Sequence, residues 1–412
     1  MTLATDVGPA PMHVGAVLVV DAAEHGLAPE AVALAVQQRI GAVPRLRQVL
    51  RGAPLGLGRA VWVDAPDFDP ADHVRIVRCS APGDERALLR LAAEVLATPL
   101  PADRPRWQAT VVHGLADGRL ALVPTFHHVV ADGVGGLAVL ASLVDGASMP
   151  TLPPPAPAPS TRALLHDVVR ARAASLRSLP SAVRRTGTAL AQLFAGGVRL
   201  PARCSLNRPG GARRRLGVVR ADLAAVLGAA HAAGATLNDV VLVAVGEALD
   251  ALLRQRGEHV GTFVVSVPVS GRRSTDVTDL GNQVGVVPVE VPAEGPPGRR
   301  LAAVSERMRI VRSQPRGAST SVVGPLFGLL ARLGIFRWFV EHQPLVHTFV
   351  TNVRGPEQRL TFLGAEVAQV LPMTATPGNV TVSFAVLSYA GTLSLVVVAD
   401  ADACTEDEVA LL

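Results

Sequence analysis

Arg119 to Gly133 reads RLALVPTFHHVVADG. The run from Arg119 to Phe126, apolar after its first residue, reads as a strand. It delivers two adjacent histidines, His127 and His128, and then Asp132 and Gly133. Neighbouring side chains on a strand point to opposite faces, so only one of the two histidines can face a given cavity. Gly133 permits a turn that a bulkier residue resists. Asp132 can fold back toward His128 and lock that turn. An imidazole with an ordinary pKa near 6.5 accepts a proton at neutral pH. A positioned base contributes about 10²–10⁴-fold to such a step. The pattern reads as a general-base site, with a chance pair of core histidines as the alternative.

Working outward, the chain alternates strand and helix patterns without a regular βαβ repeat. Upstream of the motif, strands are predicted at Val14–Asp21, Val74–Cys79 and Trp107–His113, with helices at Pro29–Val43 and Asp84–Ala97. A short helix from Val134 to Leu143 follows the motif. Pro150 to Ser160 is proline-rich and reads as a semi-rigid linker. Beyond it, helices are predicted at Ala221–Ala233, Thr236–Arg254, Arg299–Val311 and Val322–Val340. Strands are predicted at Thr262–Val267, Val284–Val291, Thr348–Val353, Ala365–Val370, Val380–Leu387 and Leu393–Ala399. No glycine-rich phosphate loop follows any strand, which leaves nucleotide cofactors without support. No GxSxG nucleophile elbow is present either.

All 39 basic residues are arginine, and the net charge is +5. That charge is polarised, because thirteen arginines and one acid, Asp167, fall in residues 161–220. This block reads either as a basic amphipathic connector that touches anionic lipid or CoA phosphates, or as a solvated helical crossover. Nothing in it reads a nucleic-acid groove, and aromatics at 3% are too few for base stacking. Three distant cysteines, Cys79, Cys204 and Cys404, exclude a disulfide framework and fit a reducing cytoplasm. The longest apolar stretch, Ser321 to Val340, is interrupted by Arg332 and Arg337, so no membrane span is expected.

HHxxxDG resembles the signature of the CoA-dependent acyltransferase superfamily. Companion segments narrow the resemblance. They are Pro11-Met12-His13-Val14-Gly15, Pro105-Arg106-Trp107, Leu206-Asn207 with Arg213–Arg215, and Thr236-Leu237-Asn238-Asp239-Val240. Gly281-Asn282, Asn352-Val353-Arg354-Gly355-Pro356 and Ser388-Tyr389-Ala390-Gly391 complete the series. In this order they look like the bacterial wax ester synthase/diacylglycerol acyltransferase family, from about residue 11 to the end. The resemblance implies an α/β fold of the α+β type, with two chloramphenicol acetyltransferase-like domains and a tunnel between them. The units are expected at 1–149 (with HHxxxDG), 150–214 (connector) and 215–412.

By the same resemblance His128 is the general base, His127 orients the turn, and Asp132 is structural. Arg272 is the candidate partner of Asp132. Asn238, Asp239, Asn282, Thr351, Asn352 and Trp107 are candidate substrate-binding residues. Each keeps a second reading from its residue type: helix capping for Asn238 and Asp239, turn chemistry for Asn282, Thr351 and Asn352, core packing for Trp107. Phe327–Val340 reads as an interfacial helix or as ordinary core. No metal and no cofactor is expected; acyl-CoA is substrate. The implied activity is fatty acyl transfer from acyl-CoA to diacylglycerol or a long-chain alcohol. Transfer to a polyketide or other hydroxylated metabolite, and an inactive lipid-binding relative, are the alternatives. The expected location is cytoplasmic, with peripheral contact to a membrane or lipid droplet through residues 161–220. Departures from the family pattern are Arg106, Arg354, the ten residues before Pro11, and the end at Leu412.

Overall fold

The computed structural model describes residues 6, 9, 11–52, 60–147, 159–170, 173, 201–270, 284–313, 330 and 334–412. In chain order the first half runs β1 (His13–Val20), α1 (Pro29–Gly41), β2 (Gln48–Arg51), β3 (Val61–Asp64), β4 (Val74–Arg78) and α2 (Glu85–Ala97). It continues with β5 (Trp107–His113), β6 (Leu120–His127) and α3 (Gly133–Leu143). The second half runs β7 (Arg214–Asp222), α4 (Leu223–Ala232), α5 (Leu237–Gln255), β8 (Thr262–Ser270), β9 (Val284–Pro292) and α6 (Pro297–Ser313). It ends with α7 (Phe336–His342), β10 (Thr348–Arg354), β11 (Thr361–Phe362), β12 (Ala365–Met373), β13 (Val382–Tyr389), β14 (Thr392–Asp400) and α8 (Glu406–Leu411).

Two six-stranded sheets result, ordered β11-β12-β1-β6-β5-β4 and β7-β14-β13-β10-β8-β9. Both are mixed. β4 is parallel to β5, and β10 is parallel to β8 and β13, while the other pairs in these sheets are antiparallel. β6 and β13 are buried at all eight positions, because each is an inner strand covered on both faces. The local signals are ordinary. Asp84 caps α2 by accepting the Ala87 N–H at 2.8 Å, and the helix buries Leu88, Leu89, Ala92, Val95 and Leu96. Thr236 and Asp239 form a capping box at the start of α5.

The second half does not keep to itself. β12, expected with residues 215–412 as one unit, pairs antiparallel with β1 in the first sheet, with Gly15 opposite Met373 and Leu18 opposite Val370. The chain leaves the second sheet after β10, adds β11 and β12 to the first, and returns as β13. Gly355 sits at the exit. Its N–H donates to the Ser388 carbonyl at 3.0 Å, and a Cβ there would lie 2.4 Å from that oxygen. The Tyr389 hydroxyl donates to the Val367 carbonyl at 2.7 Å and accepts the Leu360 N–H at 2.9 Å, bonding β13 to the crossover. Leu387 and Tyr389 pack into the core of the first half, and Val396 and Val398 join a core with Val17, Val19 and Leu371. Three links thus hold the halves together: a shared strand, a shared tyrosine and shared apolar cores.

The end of the basic block, residues 213–220, runs into β7. Its arginines are engaged: Arg213 pairs with Asp402, Arg214 with Asp400, and Arg220 with Glu85. Arg215 donates to the Ala401 and Cys404 carbonyls. The last part of the basic block is therefore an edge strand neutralised by its neighbours rather than an open cationic face.

Candidate active site

His127 ends β6 and His128 begins the turn after it. The two imidazoles go to opposite sides, as strand geometry requires. His128 faces a cavity of about 100 Å³ between the two sheets. Its Nδ1 lies 3.1 Å from the Ala131 carbonyl. A carbonyl only accepts, so Nδ1 carries the hydrogen and Nε2 is the basic nitrogen. The His128 amide donates to the Met12 carbonyl at 2.7 Å, tying the turn to the residue before β1. Burial pushes the His128 pKa below its usual value, against the opposing pull of the Ala131 carbonyl and the Asp132 charge. The imidazole is thus neutral, and able to take a proton, at neutral pH.

His127 is buried on the other side. Its Nδ1 accepts the Val129 N–H at 3.0 Å, which tightens the turn. That leaves Nε2 as the protonated nitrogen, which donates to the Asp6 carboxylate at 2.8 Å. The His127 hydrogen bond holds the Asp6 pKa below the usual carboxylate value, aided by the Met12 N–H and the Arg106 charge. Asp6 also accepts the Met12 N–H at 3.3 Å and pairs with Arg106 at 3.6 Å. His13 stacks edge-on against His127 with ring centroids 6.0 Å apart. Its Nδ1 bonds the Leu96 carbonyl, and burial lowers its pKa to about 4.

Asp132 is fully buried and is the N-cap of α3, accepting the Gly135 N–H at 2.8 Å. Gly133 has an ordinary negative-φ backbone, so turn freedom is not what demands a glycine there. Space does. A Cβ at 133 would stand 3.1 Å from Val353 Cγ2 and 3.4 Å from Thr351 Cγ2 on β10. The bare position lets the second sheet close against the start of α3.

The cavity brings together His128, Asp132, Gly133 and Thr351. The other sequence candidates go elsewhere. Trp107, proposed as a substrate contact, is buried in the core, donates Nε1–H to the Leu46 carbonyl at 2.6 Å and stacks on His73. It is not among the residues that line the cavity. Asn352 alternates away from Thr351, and its amide lies 3.5 Å from Asn238 Oδ1. Asp239 is consumed by structure: it closes the capping box, accepts from Ser305 at 3.1 Å, and pairs with Arg312 at 3.3 Å. Neither Asn238, Asn352 nor Asp239 lines the cavity. Arg272 and Asn282 lie outside the described residues. Arg354 is exposed and pairs with Glu357, while Arg106 is drawn to Asp6, so neither departure reaches the cavity wall. Of the Phe327–Val340 stretch, residues 336–340 belong to α7, with Phe336 buried and Trp338 64% exposed.

Sequence reasoning missed Asp6, the Met12 carbonyl and the apolar wall. Phe126, Leu137, Leu140, Val370, Met373 and Leu387 are part of that wall, which draws on both halves of the molecule. Among the described residues no group of histidine, cysteine and carboxylate side chains is placed to hold a metal. No described helix is long and apolar enough to cross a membrane.

Two mixed sheets, the first completed by strands from the second half of the chain, with HHxxxDG at an apolar cavity between them, define an acyltransferase of the chloramphenicol acetyltransferase type. Comparison with known families agrees. The model of the wax ester synthase/diacylglycerol acyltransferase catalytic domain matches residues 1–241, and that of the WS/DGAT C-terminal domain matches residues 280–410. The chain belongs to the wax ester synthase/diacylglycerol acyltransferase family. It is 31% identical to the probable diacylglycerol O-acyltransferase tgs1 of Mycobacterium tuberculosis, over 95% of this chain and 87% of that protein. It is 30% identical to the putative diacylglycerol O-acyltransferase Rv3371 of the same organism, over 96% and 82%. Its fold matches the solved wax ester synthase/diacylglycerol acyltransferase of Marinobacter aquaeolei with a TM-score of 0.69 at 20% identity, covering 99% of this chain and 93% of that one. The first condensation domain of the CDA synthetase matches with a TM-score of 0.61 at 20% identity, covering 99% and 90%.

Proposed function

We propose that this acyltransferase moves a fatty acyl group from acyl-CoA to the hydroxyl of diacylglycerol or a long-chain alcohol, with His128 as general base. The observation that carries this reading is one imidazole, its tautomer fixed by the Ala131 carbonyl, facing an aliphatic cavity between the sheets. His128 Nε2 takes the proton of the acceptor hydroxyl as its oxygen attacks the thioester carbonyl. The carbonyl oxygen becomes an oxyanion that needs donors. Thr351 and Thr374, which both line the cavity, are the described hydroxyl residues nearest to that role. Collapse breaks the carbon–sulfur bond, and the imidazolium returns its proton to the leaving thiolate. Proton and acyl group are accounted for by the two substrates and His128, so the mechanism includes no cofactor and no acyl-enzyme.

The relatives' names supply diacylglycerol and the family's name supplies the wax-ester alcohol, and the aliphatic wall fits both. Incubation with labelled palmitoyl-CoA and either dioleoylglycerol or hexadecanol tests the reading. Ester and free CoA should appear in equal amounts; absence of both products with both acceptors overturns it. Contact with anionic lipid through residues 161–220 belongs to the same proposal, with the paired arginines of β7 set aside. Flotation with anionic vesicles should weaken when Arg170, Arg172, Arg177, Arg184 and Arg185 become Gln. Unchanged flotation would remove that part.

A further inference from the structure

Helix α3 carries Gly133, Gly136, Leu137 and Leu140 on the face that lines the cavity beside His128. The spacing of three, four and seven residues places them in one stripe. Gly133 is explained by β10, which leaves no room for a Cβ. Gly136 has no such neighbour. A Cβ built on it meets nothing within 4 Å, although the residue lines the cavity. Nor does its backbone require glycine, since its φ is ordinary. Glycine inside a helix is unfavourable relative to alanine, and neither conformation nor packing among the described residues accounts for it here.

Resting on the function proposed above, we infer that Gly136 sets the length of aliphatic chain admitted beside His128. The missing side chain leaves open the wall between Leu137 and Leu140 on α3 and Val370 and Met373 facing them. Any side chain at 136 enters the volume that a methylene chain would fill. The chain belongs either to the acyl group or to the acceptor alcohol, which share this chemistry.

Gly136→Leu and Gly136→Ala are compared with the wild type in two series. One varies acyl-CoA from C4 to C16 with hexadecanol as acceptor; the other varies the alcohol from C4 to C16 with palmitoyl-CoA. Gly228→Leu is the control, since Gly228 is also a helix glycine with open space around its Cβ, but on α4 at the exposed surface. Excluding a methylene from an apolar site changes kcat/KM by roughly four- to tenfold. Leucine at 136 should therefore lower the C16-to-C6 ratio of kcat/KM by at least about tenfold in one series. Alanine should shift the ratio in the same direction by less, and Gly228→Leu should leave it alone. The series that shifts identifies whose chain passes Gly136.

Chain fit is also read without turnover, from the rise in Tm on adding C6- or C16-CoA or the matching alcohols. Gly136→Leu should keep the short-chain shift and lose the long-chain one. Ratios and Tm shifts equal to wild type in both series overturn the inference, as does an equal loss at every length in a folded variant. Failure of the wild type to form ester would instead strike the function proposed, and the Tm series would still decide the role of Gly136.

Discussion

Replacing Asp6 with alanine removes two hydrogen bonds from opposite sides of the catalytic turn. The carboxylate accepts His127 Nε2–H at 2.8 Å and the Met12 N–H at 3.3 Å. His127 grips the turn through Val129, and the Met12 carbonyl grips the His128 amide. A hydrogen bond to a charged group contributes about 1.5–3 kcal/mol. The Asp6 side chain is 27% exposed, so the lower part of that range applies, and about 2 kcal/mol is expected. Spread over a chain of 412 residues, that amounts to a fall in Tm of only about 2 °C. Catalysis is the more sensitive readout, because misplacing a reacting group by about 1 Å costs on the order of a hundredfold. Steady-state ester formation should show kcat reduced about tenfold to a hundredfold, with KM for palmitoyl-CoA changed less than threefold. Asp6→Asn keeps an acceptor for His127 and should recover part of the loss. The acid limb of the pH profile should stay in place, since burial is the chief cause that lowers the His128 pKa. A kcat within twofold of wild type in the alanine variant would refute the clamp. So would a fall in kcat matched by a shifted acid limb.

Tyr389→Phe deletes the hydroxyl that serves the Val367 carbonyl and Leu360 N–H, and urea unfolding should show a loss of about 1–3 kcal/mol; no loss would mean the crossover is held without it. Gly133→Val forces side-chain atoms into β10, at an expected cost of about 1–3 kcal/mol and a marked fall in turnover, read by urea midpoint and ester assay. A variant as stable and active as wild type would contradict the packing argument. His13 is buried and neutral, with a pKa near 4 when folded against about 6.5 unfolded. Protonation therefore favours the unfolded chain: the stability is full above pH 6.5 and is lost as pH falls toward 4, by about 3 kcal/mol in all. The drop in unfolding free energy between pH 7.5 and 4.5 should shrink in His13→Gln, and an equal drop in both proteins would sink the assignment.

Element boundaries were largely legible because burial wrote its period into the chain. β5 and β6 fall within a residue of the sequence reading, and so does the start of α2. β7 was not legible: three arginines precede its short apolar centre, and their partners Asp400 and Asp402 lie far along the chain. Nor could hydropathy say which sheet β12 joins, since an apolar strand suits either. The same limit applies to the site. HHxxxDG marked His128, but strand alternation alone could not separate Thr351, which faces the cavity, from Asn352, which turns away. Asp239 looked like a ligand residue until its capping box and Arg312 were seen to consume it. Asp6 meets His127 across 121 positions, a contact no local pattern encodes.

The central claim is that His128 moves the proton. The most direct measurement is ester formation by His128→Ala across pH 5 to 9, beside wild type, with Tm recorded for both. Wild type should lose activity as pH falls through a value below the ordinary 6.5, because burial favours the neutral imidazole. The variant should retain its Tm within a few degrees and lose about 10²–10⁴-fold in kcat, with the acid limb gone. A folded variant that keeps wild-type turnover, or the wild-type acid limb, would contradict the account.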